Sequence, residues 1–421
     1  LKSESIIKIY RKITDSGEGF IFAAYAIFII SFYFVYVYFL NKNPDFFLMD
    51  DGYYTCGKAL YEGKISFLHQ SRGPGLYILY AGLNIFPESV HPIIRVVMTI
   101  LIMRVNILFA AKIFGKILTR NQLFWGLVIS VFNPLTLHFT IKNTPEVYLT
   151  LIMGVIIFGY LRFIDTNKFI FFILAAAGIL AGMIFKPVFF LIPIFMLLHN
   201  VFIIKNKKYY LSLFILILVS FYSYSLFQTY TKLEDEKAHS YGFGDILARV
   251  YLYDAMMKSG EINLGTGEEL TLGKANYALC DLYWKNWLEE YSKLNKDVPE
   301  YKIAIDFTKD NLFRSVLLRI TSPVLFISLT SSTTETISYL FLYGWLVILS
   351  ISCMRKIKKD LRKEISAIIY VLMGYASVFF LTLSYARYSI PLMFYLLMFT
   401  GIYFSEIIDR RIIKNRQKQD A

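Results

Sequence analysis

Long apolar stretches alternate with short polar connections over most of this chain. Apolar windows fall at residues 20–40, 93–114, 122–140, 146–164, 169–185, 187–204, 210–229, 335–353, 365–384 and 388–407. A helix needs about 20 mostly apolar residues to cross a hydrocarbon layer about 30 Å thick. Backbone groups in lipid must find their partners internally, so runs of this length read as helices. The pattern therefore predicts an all-α polytopic membrane protein with about ten transmembrane helices. Two apolar stretches are set apart as interfacial. The run 74–90 (PGLYILYAGLNIFPESV) is short, and 311–331 (NLFRSVLLRITSPVLFISLTS) carries Arg314 and Arg319, which are costly in hydrocarbon.

Composition agrees with the pattern. Of the 421 residues, 56% are hydrophobic and 18% charged, against about 25% charged in a soluble globular chain. One soluble core would not need so many spans. The first apolar run is long and no small-residue cleavage site follows it, so it reads as a span and not a cleaved signal.

The net charge is +13, concentrated in connections such as 205–210, 355–363 and 410–418. Basic residues in short connections set membrane orientation; no basic, aromatic-interleaved soluble domain is present to carry a nucleic-acid site. An even number of spans places both termini and these clusters in the cytoplasm. The loop 41–92 and the segment 230–310 then lie outside, the latter with 15 acidic and 10 basic residues. The chain divides into an N-terminal transmembrane module (1–229), an extracytoplasmic loop with interfacial helices (230–334), and C-terminal helices with a basic tail (335–421). Cys56, Cys280 and Cys353 are scattered and mark neither a disulfide framework nor a thiolate metal site.

Chemistry-bearing residues gather on the expected outer side. Asp50 and Asp51 stand in MDDGYYTCGKALYEG, just after the first span and before a short predicted helix. A carboxylate there caps a helix N-terminus, which accounts for one acid and not for two. Glu146 follows Pro145 at the start of a span, and capping is again the simpler role. Two outer loops nonetheless each present a carboxylate at a helix mouth, suited to an acceptor hydroxyl or a divalent cation. His69, Gln70 and Arg72 precede a Gly-Pro-Gly turn, and an arginine there suits a phosphate. Lys186 lies between two spans and Arg387 opens the last one, beside Tyr385 and Tyr388. Snorkelling and interfacial anchoring compete there with phosphate contact. In LYWKNWLEEYSKL (282–294), Trp284, Trp287 and Tyr291 suit either sugar stacking or packing on the membrane surface.

These motifs, in this order, resemble the large membrane glycosyltransferases of GT-C fold, in the branch of the aminoarabinose transferases and protein O-mannosyltransferases with their bacterial surface-glycan relatives. The family's first outer loop carries Asp-Asp or Asp-Glu followed by Tyr-Tyr or similar, here MDDGYY. A Lys-Pro-Pro-like element with an aromatic helix follows, here SRGPGLYILY with Arg72 where lysine is usual. An Asn-Pro…Pro-Asp/Glu pattern joins the third and fourth spans, here FNPLTLHFTIKNTPE. A Gly…Thr-Lys-like motif joins the fifth and sixth, here GILAGMIFKPVFFLIP. The last span begins Arg-Tyr…Pro, here ARYSIP. The likeness covers about 20–205 and 383–405 and leaves 230–310 unmatched.

The resemblance implies an inverting transfer of a sugar from a polyprenyl-phosphate donor to a lipid-linked or surface-glycan acceptor. By the same resemblance, Asp50 or Asp51 is the catalytic base, Asp50 being the one that aligns with the first acid of the motif. Asp51 and Glu146 orient the acceptor or bind a divalent cation, Mg or Mn. Arg72, Lys186 and Arg387 hold the donor phosphate, and Tyr53, Tyr54, His69, Trp284 and Trp287 contact sugar or acceptor. It further implies a bacterial inner-membrane setting in O-antigen or lipopolysaccharide biosynthesis, with a flippase and a polyprenyl-phosphate sugar synthase upstream. Two other membrane functions compete: a flippase or transporter of lipid-linked oligosaccharide, and a glycan polymerase or ligase of another class.

Overall fold

The computed structural model describes residues 17–43, 53–64, 74–141, 144–234, 333–381 and 386–417, and among these every regular element is helical. The elements are α1 (Gly17–Phe34), α2 (Tyr53–Tyr61), α3 (Gly75–Leu83), α4 (His91–Phe114), α5 (Arg120–Phe132), α6 (Pro134–Ile141), α7 (Pro145–Thr166), α8 (Phe169–Phe185), α9 (Ile192–His199), α10 (Lys208–Glu234), α11 (Thr333–Met354), α12 (Arg362–Leu381), α13 (Ile390–Leu396) and α14 (Gly401–Gln417). Proline marks several starts. Pro92, Pro145, Pro193 and Pro391 sit in the first turns of α4, α7, α9 and α13, where a missing N–H costs nothing. Asn167 closes α7 in the left-handed conformation (φ 55°), its N–H bonded to the Phe163 carbonyl.

The multi-pass helical architecture is as expected, but ten spans is too many. Among the described residues, six helices are long and apolar enough to cross a bilayer, or seven if α5 and α6 form one bent span. Helices do form at the other expected positions, with different character. Helix α8 has 17 residues, about 26 Å of rise. Residues 187–204 form a 3₁₀ turn, a short α-helix and a π turn in series. Helix α12 opens on Arg362, Lys363 and Glu364. Apolar content alone counted these three as full spans. The run 74–90 yields the nine-residue α3 and a 3₁₀ turn. Segment 311–331 lies outside the described residues.

One buried cluster extends from Ile21 and Tyr25 on α1, through Met153 and Ile157 on α7, to Phe379 on α12 and Ile402 on α14. The N- and C-terminal helices thus share a core. Helix α5 closely approaches the start of α14 and the 3₁₀ turn before it: a Cβ at Gly126 would lie 2.4 Å from the carbonyl oxygen of Met398 in that turn, and one at Gly401 would lie 2.0 Å from that of Gln122. Only glycine permits that approach, the usual device for bringing helix backbones together in lipid.

The α5–α6 break has a local cause. Pro134 disfavours the helical conformation at the preceding residue, and Asn133 is extended (ψ 146°). The two helices meet at 51°. Asn133 bonds both sides of the break: its Nδ2 donates to the Ser130 carbonyl (2.8 Å) and its Oδ1 accepts from the Thr136 N–H (2.9 Å). Tyr343 on α11 completes the repair. Its hydroxyl accepts from the Leu135 N–H (2.8 Å) and donates to Asn133 Oδ1 (3.0 Å). Irregular backbone within an apolar body needs such partners.

Candidate functional site

Helices α7 and α8 are sequential and pack side by side, so the start of α7 lies beside the end of α8. Glu146 occupies the first turn of α7, where the helix dipole favours a carboxylate. Lys186 follows α8 in extended backbone (ψ 121°) immediately before Pro187, which prevents the helix from continuing. The two side chains meet, with Lys186 Nζ 3.3 Å from Glu146 Oε1. Glu146 is 1% exposed and Lys186 21%. Glu146 Oε2 is buried and has no hydrogen-bond partner among the described residues.

The turn Ala386–Ser389 before α13 supplies the rest. Lys186 Nζ lies 3.4 Å from the centroid of the Tyr388 ring, a close cation–π contact. Arg387 lies on the same ring, Cζ 5.0 Å from its centroid, and donates from Nη2 to the Tyr388 hydroxyl (3.2 Å). The ring is fixed by stacking on Phe379 (4.9 Å, 22°), and the Tyr388 carbonyl accepts from the Tyr375 hydroxyl (3.0 Å). Two cations and one carboxylate are thus organised around one tyrosine. Such an arrangement suits a ligand that carries negative charge and offers a hydroxyl or another donor to the carboxylate.

Helices α2 and α3 pack against the adjoining region. Tyr53 is buried in a cluster with Leu76, Tyr77, Tyr80, Val147 and Tyr148, the last two next to Glu146 in sequence. Tyr148 stacks on Phe185, the neighbour of Lys186 (5.6 Å, 22°). The Tyr54 hydroxyl lies 2.7 Å from Nδ1 of the buried His91, whose Nε2 lies 2.8 Å from the Phe86 carbonyl. Lys58 bonds Glu88 at 2.5 Å, and that hydrogen bond and charge hold the lysine above its usual pKa range.

Of the residues singled out from sequence, Glu146, Lys186 and Arg387 come together around Tyr388. Tyr53 and Tyr54 pack in the adjoining region, with their side chains engaged internally. Asp50, Asp51, His69, Arg72, Trp284 and Trp287 lie outside the described residues, as does nearly all of the segment 230–310. Of the two carboxylates expected to hold Mg or Mn, Asp51 lies outside the described residues and Glu146 Oε1 faces the Lys186 ammonium; among the described residues no group of three or more His, Cys, Asp or Glu is placed to hold a metal ion.

Sequence reasoning passed over Tyr388 as the organiser and Arg95 as a buried cation. Arg95 is 1% exposed on α4, its Cζ 3.9 Å from the Tyr80 ring centroid. The available signal was an arginine inside an apolar span, which is expensive unless it is used. No protein-family model, curated protein or solved structure matches the chain.

Proposed function

We propose that this chain is an inverting glycosyltransferase of GT-C type, moving a sugar from a polyprenyl-phosphate donor to a lipid-linked or surface-glycan acceptor. The observation that carries the reading is the Glu146–Lys186–Tyr388–Arg387 cluster at the shared end of α7 and α8. It joins three separate chain segments that the family resemblance had singled out independently. In this reading the cluster faces the extracytoplasmic side of a bacterial inner membrane, and both termini are cytoplasmic.

The chemistry needs little more. An acceptor hydroxyl attacks the anomeric carbon from the face opposite the phosphate. The new C–O bond forms as the bond to the phosphate oxygen breaks, and the phosphate leaves with the electron pair. Lys186 and Arg387, joined by Arg72, stabilise that charge. The hydroxyl proton passes to Asp50, while Asp51 and Glu146 orient the acceptor. No step is routed through a divalent cation.

The test is reconstitution in vesicles with radiolabelled polyprenyl-phosphate sugars and candidate glycan acceptors. Covalent transfer with inverted anomeric configuration supports the reading. Movement of intact lipid-linked sugar across sealed vesicles without transfer would replace it with a flippase, and products extended by many units would point to a polymerase.

A further inference from the structure

The Glu146–Lys186 pair is built unlike an ordinary structural salt bridge. Its single contact is 3.3 Å, whereas the exposed pairs Lys116–Asp165 and Lys356–Glu406 close to 2.7 and 2.8 Å. Charge-assisted bonds in favourable geometry run to about 2.7–2.9 Å. Its carboxylate is fully buried and uses one oxygen, leaving Oε2 without a partner among the described residues. A buried carboxylate oxygen left unpaired is costly, and such a group persists where it has another use. The two partners also differ in freedom. Glu146 is enclosed at a helix start, whereas Lys186 is the more exposed of the two and sits on a flexible four-carbon stem. The Tyr388 ring holds the ammonium from a second side without consuming an anion.

We infer that Lys186 changes partner on donor binding: in the absence of donor it neutralises Glu146, and a lipid phosphate takes its place at the ammonium. Tyr388 keeps Lys186 located during the exchange. A phosphate carries more charge than a carboxylate and approaches from the exposed, lysine side. Glu146, once released, presents both oxygens to the acceptor hydroxyl. Donor binding would thereby assemble the acceptor side of the site, an ordering that the pair enforces through one shared cation. This inference rests on the proposed reading of the site as one that takes a prenyl phosphate.

The test is direct binding of a short-chain prenyl phosphate to the full chain in neutral detergent, by calorimetry. The matching prenyl alcohol and inorganic phosphate serve as separate probes. Glu146 competes with the ligand for Lys186, so Glu146→Gln is expected to tighten prenyl-phosphate binding by about tenfold, equivalent to about 1.4 kcal/mol, while impairing transfer. Lys186→Gln is expected to weaken binding at least as much, and the double variant to bind like Lys186→Gln. Where Glu146→Gln does not fold, Glu146→Asp, which withdraws the carboxylate by one methylene, is expected to shift affinity in the same direction.

If the folded glutamate variant binds unchanged or more weakly while Lys186→Gln still loses affinity, the exchange is wrong and the phosphate site stands. Should the alcohol bind as well as the phosphate, with no variant changing either, the donor-phosphate reading itself fails. Equal binding of inorganic phosphate would overturn the lipid as the ligand.

Discussion

Lys186 Nζ and Glu146 Oε1 meet at 3.3 Å, joining the lysine that follows α8 to a carboxylate buried in the first turn of α7. That relationship brings together two residues 40 positions apart in sequence. Its energetics lead to the first prediction. Removing one member of a buried pair leaves an uncompensated charge and typically costs about 3–5 kcal/mol. Partial exposure of Lys186 puts Lys186→Gln and Glu146→Gln at the lower end of that range. The double variant should recover most of the loss, which thermal unfolding in detergent will measure. Additive losses would show that the pair is not energetically coupled.

Tyr388 is predicted to act through its ring face more than its hydroxyl. Tyr388→Phe retains the surface under Lys186 and removes the bond from Arg387, so a loss of donor affinity of about threefold is expected, near the net worth of one hydrogen bond. Tyr388→Leu removes the cation–π contact as well, worth about 0.5–2 kcal/mol by itself, and should cost more. Titration of the donor analogue distinguishes the two. Equal losses would transfer the role from ring to hydroxyl.

The helix break predicts coupling between α11 and the α5–α6 junction. Tyr343→Phe strands the Leu135 N–H and one bond to Asn133, a penalty of about 1–3 kcal/mol. Asn133→Ala should cost a similar amount, and the two together less than their sum because they share a network. Denaturation of the single and double variants checks this. Strict additivity would indicate that Tyr343 contributes only packing.

Where α5 approaches the start of α14 and the turn before it, any side chain on Gly126 or Gly401 meets backbone, which cannot turn aside. Gly401→Leu is expected to destabilise by at least about 1–3 kcal/mol, the usual range for overpacking, and to lower the yield of monodisperse protein by size-exclusion chromatography. Substitution at Gly19, where nothing lies within 4 Å of the added Cβ, is the control and should behave as wild type. Equal yields for both would refute the close approach.

Much of this architecture is legible in the sequence because lipid imposes a simple rule: long apolar stretches must become helices. Nearly every expected window contains one. Counting spans is less secure, because hydropathy registers apolar content and not the length of one continuous helix. Residues 187–204 are apolar apart from His199 and Asn200 yet change helical type twice, and the Asn133-Pro134 step bends what reads as one span. The site was legible in part for a different reason. Glu146, Lys186 and Arg387 each stand at a helix end, where charge is visible against an apolar background. Their meeting is not readable from hydropathy, since it depends on how α7, α8 and the turn before α13 pack. Tyr388 and Arg95 show the remaining gap. A tyrosine beside an arginine reads as an interfacial anchor, and only its geometry reveals a ring shared by two cations.

The central claim is that this cluster serves sugar transfer from a polyprenyl phosphate. The most direct measurement is single-turnover transfer of radiolabelled sugar by the reconstituted full chain, comparing wild type with Asp50→Asn and Lys186→Gln. The account predicts transfer by wild type with inversion. It also predicts a loss of about 10²–10⁴-fold for Asp50→Asn with insertion and abundance preserved, the range expected on removing a general base, and a severe loss per folded molecule for Lys186→Gln. Full transfer by both variants, or donor movement across the membrane with no covalent product, would contradict it.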